Sequence, residues 1–448
     1  MRLAYRLYRL LSWARYWVPR RFTPAGLLVL AALLVSGAVG VDIEQSVAFE
    51  VFALAACLLA VSMGAAWFFR GRFAVRRILP RFGSVGHPLA YSVCVRNLTA
   101  GSFRGLELLE DIADPRPSLA EFRALQKRAA KGRSFRFVSS GTIPFRNCRA
   151  KVKAVELPAM ASGSEAESQV ELIPLRRGLL CFTGATVART DPFGLFRSLA
   201  RVPLPDKVLI LPERYPLPAI ALTGTRKYQQ GGVALASAIG ESDEFVSLRE
   251  YRPGDPMRRI HWRSWARVGH PVVREYQDEF FVRHALILDT FAGPDQTGAF
   301  EEAVSIASSF ACSIDTQESL LDLMFVGPRA VCFTTGRGLS HTEQALEILA
   351  SVEACHDRAF RTLRDLVLQH AGGVSSCVAV LLQWDQPRRE LIRQLRSLAL
   401  SPLVLVVTEP HLAEQVHAAT AEDRPDNFHV LEVGRIAEGL RGLGKTNA

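Results

Sequence analysis

The sequence is poor in recognisable site chemistry. None of its eight cysteines stands in a CxxC spacing, and its ten histidines make no HExxH or similar ligand pattern. Zinc-ribbon and thioredoxin-type chemistry need those spacings, so neither is expected. Each cysteine sits in an apolar or strand-like setting, which predicts buried, reduced thiols and a reducing compartment for most of the chain. There is no GxSxG, and no cysteine lies in a known catalytic local signature, so nucleophilic catalysis has no motif to rest on. Negative charge is also short. Asp and Glu number 44 against 54 Lys and Arg, a net +10, which suits an anionic partner such as nucleic acid or lipid headgroups.

Apolar residues are plentiful, at 49% of 448. Residues 24–41 carry no charge, and residues 47–69 carry only Glu50, near their start. Each run is roughly long enough for a hydrocarbon core of ~30 Å, so two transmembrane helices are expected. Arg2, Arg6, Arg9, Arg15, Arg20 and Arg21 precede the first run without any acid; Arg70, Arg72, Arg76, Arg77 and Arg81 follow the second. The positive-inside rule then places both termini and the large domains in the cytoplasm, with the turn at residues 42–46 outside. Arg2, Arg6 and Arg9 share a helical face, so residues 1–23 are expected as a basic amphipathic segment lying on the bilayer.

Beyond the hairpin at 24–69, residues 84–213 show strand-like runs punctuated by turn residues. Leu89, Tyr91, Val93 and Val95 alternate onto one face, which predicts a β-rich sandwich or barrel. Residues 120–134 read as a polar, helical insertion. Residues 214–248, rich in Pro, Gly and Ala, read as a connector. From 284 to 437 short apolar strands alternate with amphipathic helices, the pattern of a doubly wound α/β domain. Residues 438–448 read as a solvated tail.

Three motifs carry candidate chemistry. The first, Gly439 to Thr446, fits GxxxxGK[ST]. A phosphate loop must open a helix whose free amides hold the phosphates, and only Asn447 and Ala448 follow, so no cofactor is expected there. The second is Asp289, at the end of the strand LILDT. Von Willebrand factor A domains carry DxSxS at such a place and use it to hold a divalent ion; here Phe291 and Gly293 replace both serines. Hard cations need several oxygen ligands, so no metal is expected, with Asp289 the remaining candidate and Thr290 its one neighbour. The third is the stretch 249–283, which begins REYRPGDPMRRIHWRSWARVGHPVVREY. Acids are interleaved with its arginines, which argues against nucleic acid and for internal Arg–carboxylate pairing, with guanidinium stacked on Trp262 or Trp265. A Pro253-Gly254-Asp255 turn followed by a helix over 256–267 is expected. The whole would serve as a clamp between domains that also shapes a partner-binding surface.

This third stretch closely resembles the signature of the bacterial "domain of unknown function 58" family. Arg249, Tyr251, Arg252, Gly254, Asp255, Arg259, Trp262 and Arg267 are its candidate interaction residues. A second segment, Arg176 to Arg197 with its Asp191-Pro192-Phe193-Gly194-Leu195, also looks like that family. The resemblance implies a β-rich portion, then a von Willebrand factor A-like domain. It also implies a role with a MoxR-type AAA+ ATPase in assembling or activating client proteins. No catalytic residue is carried over. A multi-pass, non-enzymatic adaptor in the bilayer of the bacterial inner membrane is the leading expectation; a cell-envelope enzyme acting on wall precursors or peptides is the alternative. A MoxR-type gene next door would discriminate them.

Overall fold

The computed structural model describes residues 2–39, 46–113, 149–218, 245–276 without 254, 256, 258 and 259, 282–314 without 294 and 295, 319–335, 339–413, 416, 425 and 427–443. The expected insertion at 120–134 and most of the connector lie outside the described residues. The chain divides into two compact units, Met1–Glu213 with Leu346–Val352, and Arg214–Ala345 with Glu353–Ala448. It is a multi-domain protein, β-rich in its first unit and mixed α/β in its second.

The first unit opens with three helices: α1 (Arg2–Arg21), α2 (Pro24–Val39) and α3 (Ser46–Trp67). Thr23 caps α2 through its hydroxyl, which accepts the Gly26 amide at 3.0 Å, and Pro24 occupies the first helical position. Helices α2 and α3 pack together, and a side chain added at Gly37 would meet the Phe52 ring at 3.3 Å. Among the described residues one helix, Val47–Trp67, is long and apolar enough to cross a membrane; Pro24–Ala38 is apolar but shorter. At 1.5 Å per residue α2 spans only about 24 Å.

Strands follow in two sheets. The order β1 (Phe73–Ile78), β3 (Leu89–Asn97), β7 (Glu165–Pro174), β5 (Ala150–Val152) makes one. The other runs β2 (Phe82–Ser84), β9 (Arg197–Leu211), β8 (Gly178–Thr190), β4 (Leu106–Ile112), β6 (Val155–Leu157). Leu89, Tyr91, Val93 and Val95 point inward, as their alternation predicts, and meet Leu106, Leu108, Phe182 and Val187 of the other sheet.

The sandwich begins earlier than residue 84, because β1 supplies an edge strand. Arg77, counted above among the charges flanking the second apolar run, is on that strand and is buried. Its guanidinium pairs with both oxygens of Glu110 and, at 2.7 Å, with Asp206. It also donates to the Gly184 carbonyl at 3.1 Å and lies 4.3 Å from the Phe182 ring centre. Burial lowers the pKa of Arg77, but Glu110 and Asp206 outweigh that and raise it; burial raises that of Glu110 despite the arginine. Asn97 is fully buried and donates to the carbonyls of Gly101 and Ala161.

In the second unit a two-stranded ribbon, β10 (Phe245–Glu250) with β11 (Val272–Tyr276), encloses the short helix α4 (Trp262–Val268). The α/β domain has six strands: β12 (Val282–Leu288), β13 (Ser319–Val326), β14 (Ala330–Thr335), β15 (Ser376–Leu381), β16 (Leu403–Thr408) and β17 (Phe428–Glu432). Their order is β14-β13-β12-β15-β16-β17, parallel except for β14. Helices α5 (Thr297–Ser313), α6 (Leu339–Ser351), α7 (Arg361–His370) and α8 (Gln386–Ser397) connect them. Ala285 and Ile287 pack with Leu363 of α7 and Leu391 of α8, while α5 packs against β12, β15 and β16. The hairpin strand β14 has no counterpart in the expected run of strands; its AVCFTT is too short and mixed to stand out.

The expected tail is partly structured. Helix α9 (Ile436–Gly442) packs on β17, burying Leu440, and Leu443 beyond it is buried too. Gly439 faces Leu431, where an added Cβ would meet Cδ2 at 2.5 Å. The front half of the GxxxxGK[ST] match is therefore helix, with its amides committed to helical bonds, and residues 444–446 lie outside the described residues. The thiols also differ from expectation. Among the described cysteines Cys377 is buried, while Cys57 and Cys312 are exposed, because both are on helix faces turned from the cores. Burial pushes the Cys377 thiol up to about 12.

Candidate functional site

Two places gather the residues singled out by sequence. The first is the ribbon module. Its strands pair Arg249 with Val273 and Leu248 with Arg274. The chain then turns at Arg252–Asp255, where the Asp255 carboxylate accepts the Arg252 amide at 2.9 Å. The Arg249 guanidinium donates to both Asp255 oxygens at 2.7 Å, the parallel fork that arginine makes with carboxylate. Tyr251 is tied by its amide to the Pro271 carbonyl at 2.9 Å. Gly254 and Arg259 lie outside the described residues.

Internal Arg–carboxylate pairing is thus realised, but the helix is shorter than expected. Ile260 forms a bridge with Val273 and is buried, so the residues just before Trp262 run alongside β11 instead of coiling. Helix α4 starts at Trp262 and stops where Gly269, at φ 78°, turns left-handed and donates to Trp265 O. The two indoles stack on each other, with centres 5.1 Å apart; the i, i+3 spacing brings them together. No residue of α4 is buried, Trp262 is 63% exposed, and Arg263 and Arg267 are exposed. The Arg249 and Asp255 side chains keep 36% and 16% of their surface.

Asp255 gives the module a pH signature. Hydrogen bonds from Arg249 and then from the Arg252 amide lower its pKa from 3.8 to about 2. A carboxyl whose folded pKa is depressed supports the fold above its unfolded value and loses that support as pH falls through the folded one. Hydrogen-exchange protection at the Arg252 turn, relative to intrinsic rates, should therefore hold from neutrality down to 3.8 and fall only toward about 2. Titration of Asp255 at an ordinary carboxylate pKa, followed by carbon-detected NMR, would contradict the fork.

The second place is the C-terminal edge of the parallel sheet between β12 and β15, where the strand order reverses and α/β folds present ligand-binding groups. Asp289 ends β12 there and is fully buried. Its Oδ1 accepts the Phe291 amide at 2.9 Å, and its Oδ2 accepts the Leu382 amide at 3.2 Å. Arg388, from the first turn of α8, closes the arrangement: Nε reaches Oδ2 at 3.0 Å and Nη2 reaches Oδ1 at 3.3 Å. Asp385, the cap of α8, takes Nη1 at 2.6 Å, and the Phe360 ring lies 4.3 Å from the guanidinium carbon. Burial works to lower the pKa of Arg388, but Asp289 and then Asp385 outweigh it and raise it.

These residues do not fit a divalent ion. Both Asp289 oxygens face a guanidinium, the Thr290 hydroxyl donates to the Val326 carbonyl, and Glu409 nearby accepts the Ala299 amide at the start of α5. Among the described residues no three His, Cys, Asp or Glu side chains converge on a metal position. The sequence signal for Arg388 was present only as an arginine next to a helix cap in DQPRRE, a pattern too common to single out.

Comparison with known proteins adds the following. Residues 247–382 match the model of a family described as "Protein of unknown function DUF58". "Uncharacterized protein YeaD" of Bacillus subtilis (strain 168) is 27% identical over 184 residues, 40% of this chain and 44% of that protein. The chain thus covers less than half the length of that curated relative. Among solved structures, the CARDB domain of a Pyrococcus furiosus protein is similar at 12% identity and a TM-score of 0.17, over 31% of this chain and 94% of that one. A β-glucosidase from Listeria innocua in complex with glucose gives 14% identity and a TM-score of 0.17, over 32% and 16%. Scores so low carry no argument about either unit.

Proposed function

The chain belongs to the DUF58 family through residues 247–382, and from that premise we propose a membrane-anchored, non-enzymatic adaptor that works with a MoxR-type AAA+ ATPase on client proteins. The observation that carries the reading is the ribbon module inside the matched stretch. An ion-pair fork and a Gly-capped turn hold it, yet its helix leaves Trp262, stacked on the half-buried Trp265, and two arginines in the open. Tryptophan and arginine dominate the energetics of protein interfaces, and a rigid scaffold lowers the entropic cost of binding through them.

Two further features agree with it. The sheet order with its antiparallel edge strand β14 supports a von Willebrand factor A-like domain, here with Arg388 in place of a bound cation. The apolar helices α2 and α3, flanked by arginines, support a two-span anchor in the bacterial inner membrane with both termini and the large domains cytoplasmic.

The test uses the full chain in detergent and a purified MoxR-type ATPase from the same organism, with binding followed by interferometry. Replacing both Trp262 and Trp265 by alanine is expected to weaken binding roughly 30-fold or more, the effect of losing a hot spot of about 2 kcal/mol. Exchange protection of the α/β sheet should stay as in the wild type. Equal binding by the variant, or none by the wild type, would sink the reading.

A further inference from the structure

The DPFGLF segment, whose resemblance to the family the adaptor role does not use, forms the turn between β8 and β9. Its Asp191 is buried, and the carboxylate accepts three backbone amides, those of Phe193 at 3.1 Å and of Leu195 and Phe196 at 2.7 Å. Burial alone would raise the pKa of Asp191, but these donors bring it below the ordinary value. Gly194, at φ 70°, allows the reversal. The turn is therefore rigid, and it points Leu195 and Phe196 inward while Phe193 stays 52% exposed.

This turn is fastened to the entry of one apolar helix and the exit of the other. Leu195 O accepts the Thr23 amide at 3.1 Å, and the Thr23 hydroxyl donates to Gly194 O. Phe22 bridges Phe196, and their rings meet edge to face at 5.2 Å. A Cβ on Gly26 would stand 2.0 Å from Leu195 O, so only glycine lets α2 approach this closely. On the other side Ser198 donates to Ala66 O at 3.2 Å, one residue before α3 ends. Thr23 and Ala66 mark the same end of the helical pair, so the β8–β9 turn is level with it. Trp67 and Phe68 at that end are 81% and 85% exposed, and Arg70 and Arg72 beside them are exposed too.

We infer that the Asp191–Phe196 turn is a lipid-binding foot, with Phe193 inserted among the acyl chains just below the headgroups of an anionic phospholipid bilayer. The inference rests on the reading of α2 and α3 as the membrane anchor. An exposed apolar ring on a turn locked by backbone bonds has no route into a protein core, and next to the ends of apolar helices its surroundings are interfacial. Trp67 and Phe68 would share that layer, and the exposed arginines would meet lipid phosphates. The foot fixes the height of the sandwich above the bilayer, because rigid bonds link it to both helices.

The experiment places a photoreactive benzoylphenylalanine at one position at a time in the full chain, reconstituted in vesicles of phosphatidylglycerol and phosphatidylethanolamine. The positions are Phe193, Leu54 on α3 as a membrane reference (71% exposed), and Leu179 (44% exposed) as a reference at the other end of β8. Leu179 is roughly 35 Å along the strand from the turn at about 3.3 Å per residue. Lipid adducts are counted by mass spectrometry after illumination. A yield at 193 at least tenfold above that at 179, with adducts also at 54, is the expected result. Adducts at 54 but a yield at 193 no higher than at 179 would overturn the foot and leave the anchor standing. No adducts at 54 would overturn the anchor, and the foot with it.

Discussion

Replacing Arg77 by alanine should destabilise the β sandwich by about 3–5 kcal/mol, the usual loss when one member of a buried ion pair is removed. Arg77 serves Glu110, Asp206 and the Gly184 carbonyl together, and packs against Phe182. Without it Glu110 is left 5% exposed with no counter-charge from this arginine. Burial already makes Glu110 hold its proton to higher pH than in the unfolded chain. The folded variant will therefore bind more protons than the unfolded one as pH falls, and its stability should rise with acid. Hydrogen exchange in β1, β4 and β8 should speed roughly 150- to 5,000-fold near neutrality, with a smaller change at lower pH. Arg77→Met with Glu110→Gln should recover much of the loss, since neither charge is then buried alone. A deficit that ignores pH would mean that packing against Phe182, and not charge, holds this strand.

Arg388→Ala should cost the α/β domain a similar amount, about 3–5 kcal/mol, by stranding the fully buried Asp289. The informative comparison is Asp289→Leu together with Arg388→Met. Removing both charges should cost far less than removing the arginine alone. A residue of about 1–3 kcal/mol should remain, because the Phe291 and Leu382 amides lose their shared acceptor. Thermal unfolding followed through Trp384, which packs in the same core, reports on this domain. If the single and double variants lose equal stability, the guanidinium is not the counter-ion of Asp289. Millimolar Mg²⁺ should not rescue Arg388→Ala, because one carboxylate and one hydroxyl are too few ligands for that ion.

Local pattern was enough for a good part of this protein. The alternation in LAYSVCV placed Leu89, Tyr91, Val93 and Val95 in a sheet core, because a pleated strand puts every second side chain on one face. The runs HALILDT, SCVAVLLQW and PLVLVVTE read as buried strands between amphipathic helices, and they are β12, β15 and β16 of a mainly parallel sheet. The density of arginine, acid and indole after residue 249 marked the ribbon module, and the Arg249–Asp255 fork lies within six residues, so chain proximity could suggest it.

What only the tertiary structure decided rests on partners far apart in the chain. Arg77 looked like one more cation after an apolar run; its meaning comes from Glu110 and Asp206, brought to it by sheet packing. Asp289 looked like a depleted metal position; Arg388, 99 residues later, supplies the charge that fills it. That Trp262 is exposed is a property of the whole surface, which no local pattern contains. The surroundings of the DPFGLF turn come from Thr23, Gly26 and Ala66, which lie far from it in the chain and meet the turn or the first residues of β9. Sequence periodicity records which face of an element is buried, because burial repeats with the backbone; it does not record which distant charge or carbonyl each buried polar group will meet.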